Sequence, residues 1–149
     1  MSENILRLIS VDAEFLPSQS IMDSALKLLR QAFPNATAIN TTITEDVRFI
    51  DPGSNFERIM CPNCGKVIDI AWWQEAMDQA YKNGFRDLEI KLPCCGVISS
   101  LNNLNYEQPA GFARFVLGIR NPGKDLDESL QRSLEDLLNT KVRVIWALY

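Results

Sequence analysis

Apolar positions along this 149-residue chain recur in two rhythms, one of period two and one of period three to four. Residues 5–11 (ILRLISV) form an apolar, β-branched run that reads as a strand. Ile21, Ala25, Leu28, Leu29 and Ala32 then fall at i, i+4, i+7, i+8 and i+11, which predicts a helix over 18–33. Ser18 or Ser20 supplies its cap, and Phe33-Pro34 ends it, because the proline ring excludes the helical conformation from the residue before it. Residues 35–46 are rich in Thr and Asn, so ATAINTTI reads as a short strand or an edge. VRFI at 47–50 is a firmer strand, closed by Asp51-Pro52-Gly53.

Helical spacing returns in the middle of the chain. Trp72, Trp73, Ala76, Met77, Ala80 and Tyr81 repeat at i, i+1, i+4, i+5, i+8 and i+9, with Asp69 as the cap and Asn83-Gly84 as a left-handed end. Leu88, Ile90 and Leu92 alternate with charged residues as in a half-buried strand. A strand around 97–101, the polar segment NNLNYEQPAG, and a strong strand FARFVLGI (112–119) follow, then the turn Asn121-Pro122-Gly123. Asp125 with Glu128 resembles a capping box, and Leu126, Leu130, Leu134, Leu137 and Leu138 make one apolar stripe of a helix over 125–139. VRVIWALY reads as a last strand over 142–149.

With residues 51–106 set aside, the order is β, α, β, β, α, β. That order predicts an α+β fold of ferredoxin-like (βαββαβ) type, an antiparallel sheet carrying two helices. Residues 51–106 are then an insertion with its own helix, inside a single domain spanning 1–149. The length fits one core.

Composition narrows the function classes. Hydrophobic residues are 46% and charged residues 23%, as in ordinary globular chains. The formal charge is −4, from 15 basic against 19 acidic residues, and four thiolates around one divalent cation would lower it by a further two. With a pI near 4.8 and no run of Lys or Arg, the chain suits a basic protein partner better than a nucleic acid. No run of about 18 apolar residues is present and MSENILRLIS holds no signal-like apolar stretch, so the expectation is a cytoplasmic protein without membrane attachment. There is no histidine. Nucleophile systems that depend on imidazole, and catalytic zinc held by imidazole, are thereby excluded.

The four cysteines carry the clearest chemistry. In Cys61-Pro62-Asn63-Cys64-Gly65 two thiolates two residues apart can meet one tetrahedral ion, and the glycine lets backbone N–H groups turn toward sulfur. Pro93-Cys94-Cys95-Gly96 supplies a second half after 29 residues (65–93). A regular knuckle would place its first cysteine at position 92, which is Leu92, so Cys94 must substitute. Adjacent side chains of an extended strand point to opposite faces; both sulfurs reach one ion only if the chain turns sharply between Pro93 and Gly96. The leading reading is one structural Zn2+ per chain, since four soft ligands leave no open position for substrate. A redox dithiol at Cys61 and Cys64, and four unligated cysteines, stand as alternatives.

These residues resemble a zinc-ribbon site of the four-cysteine type over about residues 58–98. The blocks DPGSNFERIMCPNCG, LPCCGVISSLNNLNYEQPAGFARF and VRVIWALY are similar to those of a group of small uncharacterised bacterial proteins. The resemblance implies a shared fold and metal site, and brings no activity with it.

Other polar and aromatic residues flank the knuckles. Asp51, Asn55, Glu57 and Arg58 precede the first, and Asn102, Asn103, Asn105, Tyr106 and Glu107 follow the second, so a metal can draw both loops onto one surface. Simple turn-making by Asp51 and Asn55, with Arg58 offsetting thiolate charge, competes with a polar cleft there. Trp72 and Trp73 point about 100° apart on a helix, toward the core or toward a partner. Arg114, inside an apolar strand, is a rim residue, a partner of Glu57 or Glu107, or an anion contact. The resulting expectation is a zinc-stabilised protein-interaction module, in one version an inhibitor or immunity-type partner of a basic protein. A small enzyme or small-molecule binder using the cleft, with Glu57 or Asp51 as acid or base, and a nucleic-acid-binding ribbon rank after it.

Overall fold

A computed structural model describes residues 3–149. Strands β1 (Asn4–Ser10), β2 (Ala38–Ile50), β7 (Gly111–Arg120) and β8 (Val142–Leu148) form one sheet in the order β2-β7-β1-β8, every neighbouring pair antiparallel. Helices α1 (Gln19–Ala32) and α3 (Glu128–Leu138) cover one face. There Leu6, Leu8, Phe115, Leu117 and Ile119 meet Met22, Ala25, Leu29, Leu134 and Leu138. On the other face Ile9, Ile50, Ala113, Val116 and Ile145 make a smaller cluster.

The caps follow local chemistry. The Ser18 hydroxyl accepts the N–H of Ile21 at 3.3 Å, and α1 stops at Phe33. For α3 the cap is Asp127, which accepts the N–H of Leu130 at 2.8 Å, and not Asp125; Asn139 closes the helix in the left-handed conformation at φ +57°. The second strand is far longer than VRFI. Ala38–Ile43 of ATAINTTI belong to it, in an edge strand that pairs with β7 alone among the described residues. Its register breaks between Ile43 and Arg48, so Thr44–Val47 stand opposite Arg114 alone. An edge strand with little burial needs no apolar alternation, which is why threonine and asparagine hide it.

Between β2 and β7 run β3 (Ile59–Met60), α2 (Ile70–Tyr81), β4 (Glu89–Lys91), β5 (Ile98–Ser100), a 3₁₀ turn (Leu101–Asn103) and β6 (Asn105–Tyr106). These short strands make only two small ladders, β3 with β6 and β4 with β5. Cohesion comes instead from a second core that joins Ile59, Cys61, Ile68, Trp73, Phe85, Leu92 and Tyr106 to Val47 and Phe112 of the large sheet. Phe49 lies against Trp73 and Phe112 with ring centroids 5.6 and 5.2 Å apart, and Phe85 meets Phe112 at 5.3 Å.

A polar clamp completes this junction. The buried Asn102 amide donates to Val11 O, while its Oδ1 accepts from Phe112 N (3.1 Å) and Arg143 Nη1 (2.9 Å). Arg143 also donates to the carbonyls of Asn102 and Ala110. A Cβ on Gly111 would lie 2.7 Å from Arg143 Nη1 and 2.8 Å from Ile9 Cδ1, so any larger residue would have to displace the ends of both side chains. Among the described residues no helix is long and apolar enough to cross a membrane.

Candidate metal centre

Two hairpin turns present the four sulfurs. In the first, which follows β3, Cys61 N donates to Lys66 O at 2.8 Å, Gly65 N donates to Cys61 O at 3.0 Å, and Gly65 adopts φ +78°. In the second, which joins β4 to β5, Leu92 N donates to Val97 O at 2.9 Å, Gly96 N donates to Leu92 O at 2.9 Å, and Gly96 adopts φ +75°. These are the same turn used twice. Leu92 occupies the place of Cys61 and Cys94 the place of Asn63, so the missing first thiol is supplied two positions later.

This resolves how adjacent cysteines reach one point. The four Sγ atoms all lie within 4.8 Å of one another, with Cys61 and Cys95 at 3.8 Å and Cys64 and Cys94 at 3.3 Å. Those two separations are too long for a disulfide, whose bond is about 2.05 Å. They lie near the edge of a sulfur tetrahedron with about 2.3 Å metal–sulfur bonds, which is roughly 3.8 Å. Cys61 is buried, Cys94 half-buried, and Cys64 and Cys95 exposed, so the centre sits at the surface with one sulfur rooted in the second core.

Donors surround the sulfurs. The amides of Asn63 and Cys64 each point at Cys61 Sγ from 3.4 Å, and Asn63 Nδ2 lies 3.5 Å from Cys95 Sγ. Burial pushes the Cys61 thiol up, but those two amides and the thiols of Cys94 and Cys64 outweigh it and hold it down at about 6. Cys94 is pushed up to about 12 by its hydrogen bond to Cys64, by burial and by Cys61 and Cys95 beside it. A divalent cation bound by these residues would favour the thiolate form of all four, because coordination would offset their mutual repulsion. Four sulfurs so placed could hold one metal ion.

The flanking residues are dispersed. Asp51 accepts from Gly53 N and from the Tyr149 hydroxyl, and Asn55 Nδ2 donates to Trp146 O. Arg58 makes a bidentate pair with Glu107 at 2.8 Å rather than facing the thiolates, and that guanidinium holds the Glu107 carboxyl below its ordinary range. Glu57 and Asn103 are exposed. Tyr106 is buried, donating to Leu101 O at 2.7 Å and accepting from Trp73 Nε1 at 3.3 Å. Trp73 is buried and Trp72 half-buried against the second core. Arg114 finds Glu14 at 3.7 Å and Thr44 O at 3.0 Å, not Glu57 or Glu107. Asp51 and Asn55 line separate depressions, while the Arg58–Glu107 pair joins the two loops beside the β3–β6 ladder.

Sequence reasoning missed the Asn102–Arg143 clamp that seats this region, since two polar residues 41 apart carry no motif. It also missed Glu14 as the partner of Arg114. Comparison of the chain with protein-family models, with curated proteins and with solved structures finds no match, and so lends no support to the bacterial-group resemblance.

Proposed function

We propose that Cys61, Cys64, Cys94 and Cys95 hold one structural Zn2+ per chain, and that the protein is a zinc-stabilised protein-interaction module. In this reading the four-stranded sheet with α1 and α3 is a ferredoxin-like frame, and residues 51–106 are a zinc-ribbon-like insertion. The strand order β2-β7-β1-β8 and the twice-used knuckle turn support that description. The observation that carries the proposal is the convergence of all four sulfurs within 4.8 Å of one another.

The interaction role rests on what surrounds the knuckles. Val67, Val97 and Ile98, which follow the two knuckle glycines, are exposed, as is Ile70. Apolar β-branched residues held at the surface by a rigid metal centre suit contact with another protein. The acidic balance of the chain suits a basic partner, including an enzyme that the protein would mask. A nucleic-acid role fits less well, because Arg58 is engaged by Glu107 and Arg86 by Asp46.

Metal analysis of the purified chain tests the first half: about one zinc per chain, falling sharply in Cys64→Ser. Capture from the native cell extract tests the second half. A discrete protein should be retained by the wild-type chain and lost with a metal-loaded Val67→Asp, Ile98→Asp variant. Equal retention by both would remove these residues from the contact, and a chain purified without metal would remove the zinc.

A further inference from the structure

The sheet face turned away from α1 and α3 carries a concavity that contains none of the cysteines. Leu6, Leu117 and Ile119 point to the helices, so alternation sends Ile5, Arg7, Gly118 and Arg120 to the opposite side. The register places Asn40, Gly118 and Arg7 in one row across β2, β7 and β1, with Arg120 in the next row. Gly118 has no side chain, and this sinks a floor between its neighbours; a Cβ there would already stand 3.2 Å from Asn40 Oδ1. The resulting cavity measures about 300 Å³, and Thr42, Arg48, Asp51 and Tyr149 complete its walls.

Its charge runs against that of the chain. Three guanidinium groups, Arg7, Arg48 and Arg120, meet here in a protein of formal charge −4. Two carboxylates oppose them: Asp51 in the wall, which takes the Gly53 N–H at 2.7 Å and the Tyr149 hydroxyl at 3.0 Å, and Glu3, which pairs with Arg120; the arginines still outnumber them. Arg7 donates to the Tyr149 hydroxyl at 2.6 Å and lies 5.2 Å from the centre of that ring, which fixes its plane and leaves other N–H groups to spare. Arg48 is exposed and, among the described residues, makes no ion pair.

We infer that this cavity is a binding site for a small molecule bearing a phosphate or carboxylate group. The guanidinium groups of Arg7 and Arg48 match paired anionic oxygens, while Arg120, its Nε and Nη2 held by Glu3, adds positive charge at the wall. The amide of Asn40 and the hydroxyl of Thr42 stand ready for a hydroxyl on the same ligand. The volume is at the lower end of small-molecule sites, enough for a sugar phosphate or a small polycarboxylate. It adds a ligand to the protein-interaction reading and does not depend on it.

Amide chemical shifts of the metal-loaded full chain, titrated separately with inorganic phosphate, ribose 5-phosphate and citrate, test the site. Saturable shifts confined to Arg7, Asn40, Thr42, Gly118 and their neighbours are expected with at least one probe. Saturation by the sugar phosphate or by citrate says which anionic group the site serves. Arg48→Gln, at an exposed edge position, should weaken binding about tenfold, the loss of one charge-assisted hydrogen-bonded contact. Gly118→Val should abolish it by filling the floor; should that chain fail to fold, Arg48→Gln decides. Non-saturating shifts scattered over the surface, no shifts with any probe, or unchanged affinity in Arg48→Gln would each overturn the site.

Discussion

The four-stranded sheet and the segment between β2 and β7 are built on different principles. In the sheet, strands of seven to thirteen residues and two capped helices bury apolar faces over long, regular contacts. The middle segment has strands of two or three residues, so backbone ladders fix little of it. Two other devices hold it, an aromatic plug on Phe112 and the Asn102–Arg143 clamp, and in the proposed reading the four sulfurs add a third through their metal. A region short of regular structure needs point fixings, and the proposed metal would be one of them.

If the two regions share Phe112, removing it should weaken both. Phe112→Ala empties a fully buried site and is expected to cost about 3–5 kcal/mol. Urea unfolding should keep a single transition at a lower midpoint. Two separated transitions would mean that the regions are joined elsewhere. Asn102→Ala addresses the clamp alone, leaving Phe112 N and the donors of Arg143 short of a buried acceptor, at about 1–3 kcal/mol by the same measurement. Asp127→Ala strikes only the sheet side, where loss of the α3 cap should cost about 1 kcal/mol without altering metal content.

The smallest effect belongs to the Arg58–Glu107 pair at the segment's edge. Arg58 lowers the folded pKa of Glu107, so the pair stabilises the fold above the carboxyl's unfolded value and loses that contribution as pH falls through the folded one. The melting temperature of Glu107→Gln should therefore lie slightly below wild type near neutrality and converge with it in acid. A gap that widens in acid would reverse the sign.

How much of this could be read from residues alone differs between the regions for the same reason. Strands β1, β7 and β8 and all three helices announce themselves through periodic apolar positions, and Cys61-Pro62-Asn63-Cys64-Gly65 through its spacing. The length of β2 is hidden because an edge strand tolerates Thr and Asn on both faces. The α3 cap falls at Asp127 because its side chain, and not that of Asp125, reaches the N–H three residues on. Leu92 obscures the second knuckle until the repeated hydrogen bonds of the turn show that Cys94 takes over. Clamps between distant polar residues, Arg143 with Asn102 or Arg114 with Glu14, are products of the fold and leave no local trace.

The most direct test is backbone amide hydrogen exchange of the full chain with and without a zinc chelator. Removing the metal should strip protection from amides in 59–68 and 89–100 while those of β1 and β7 change little. Equal loss across the sheet, or no loss around the knuckles, would contradict a metal that organises the middle of this fold.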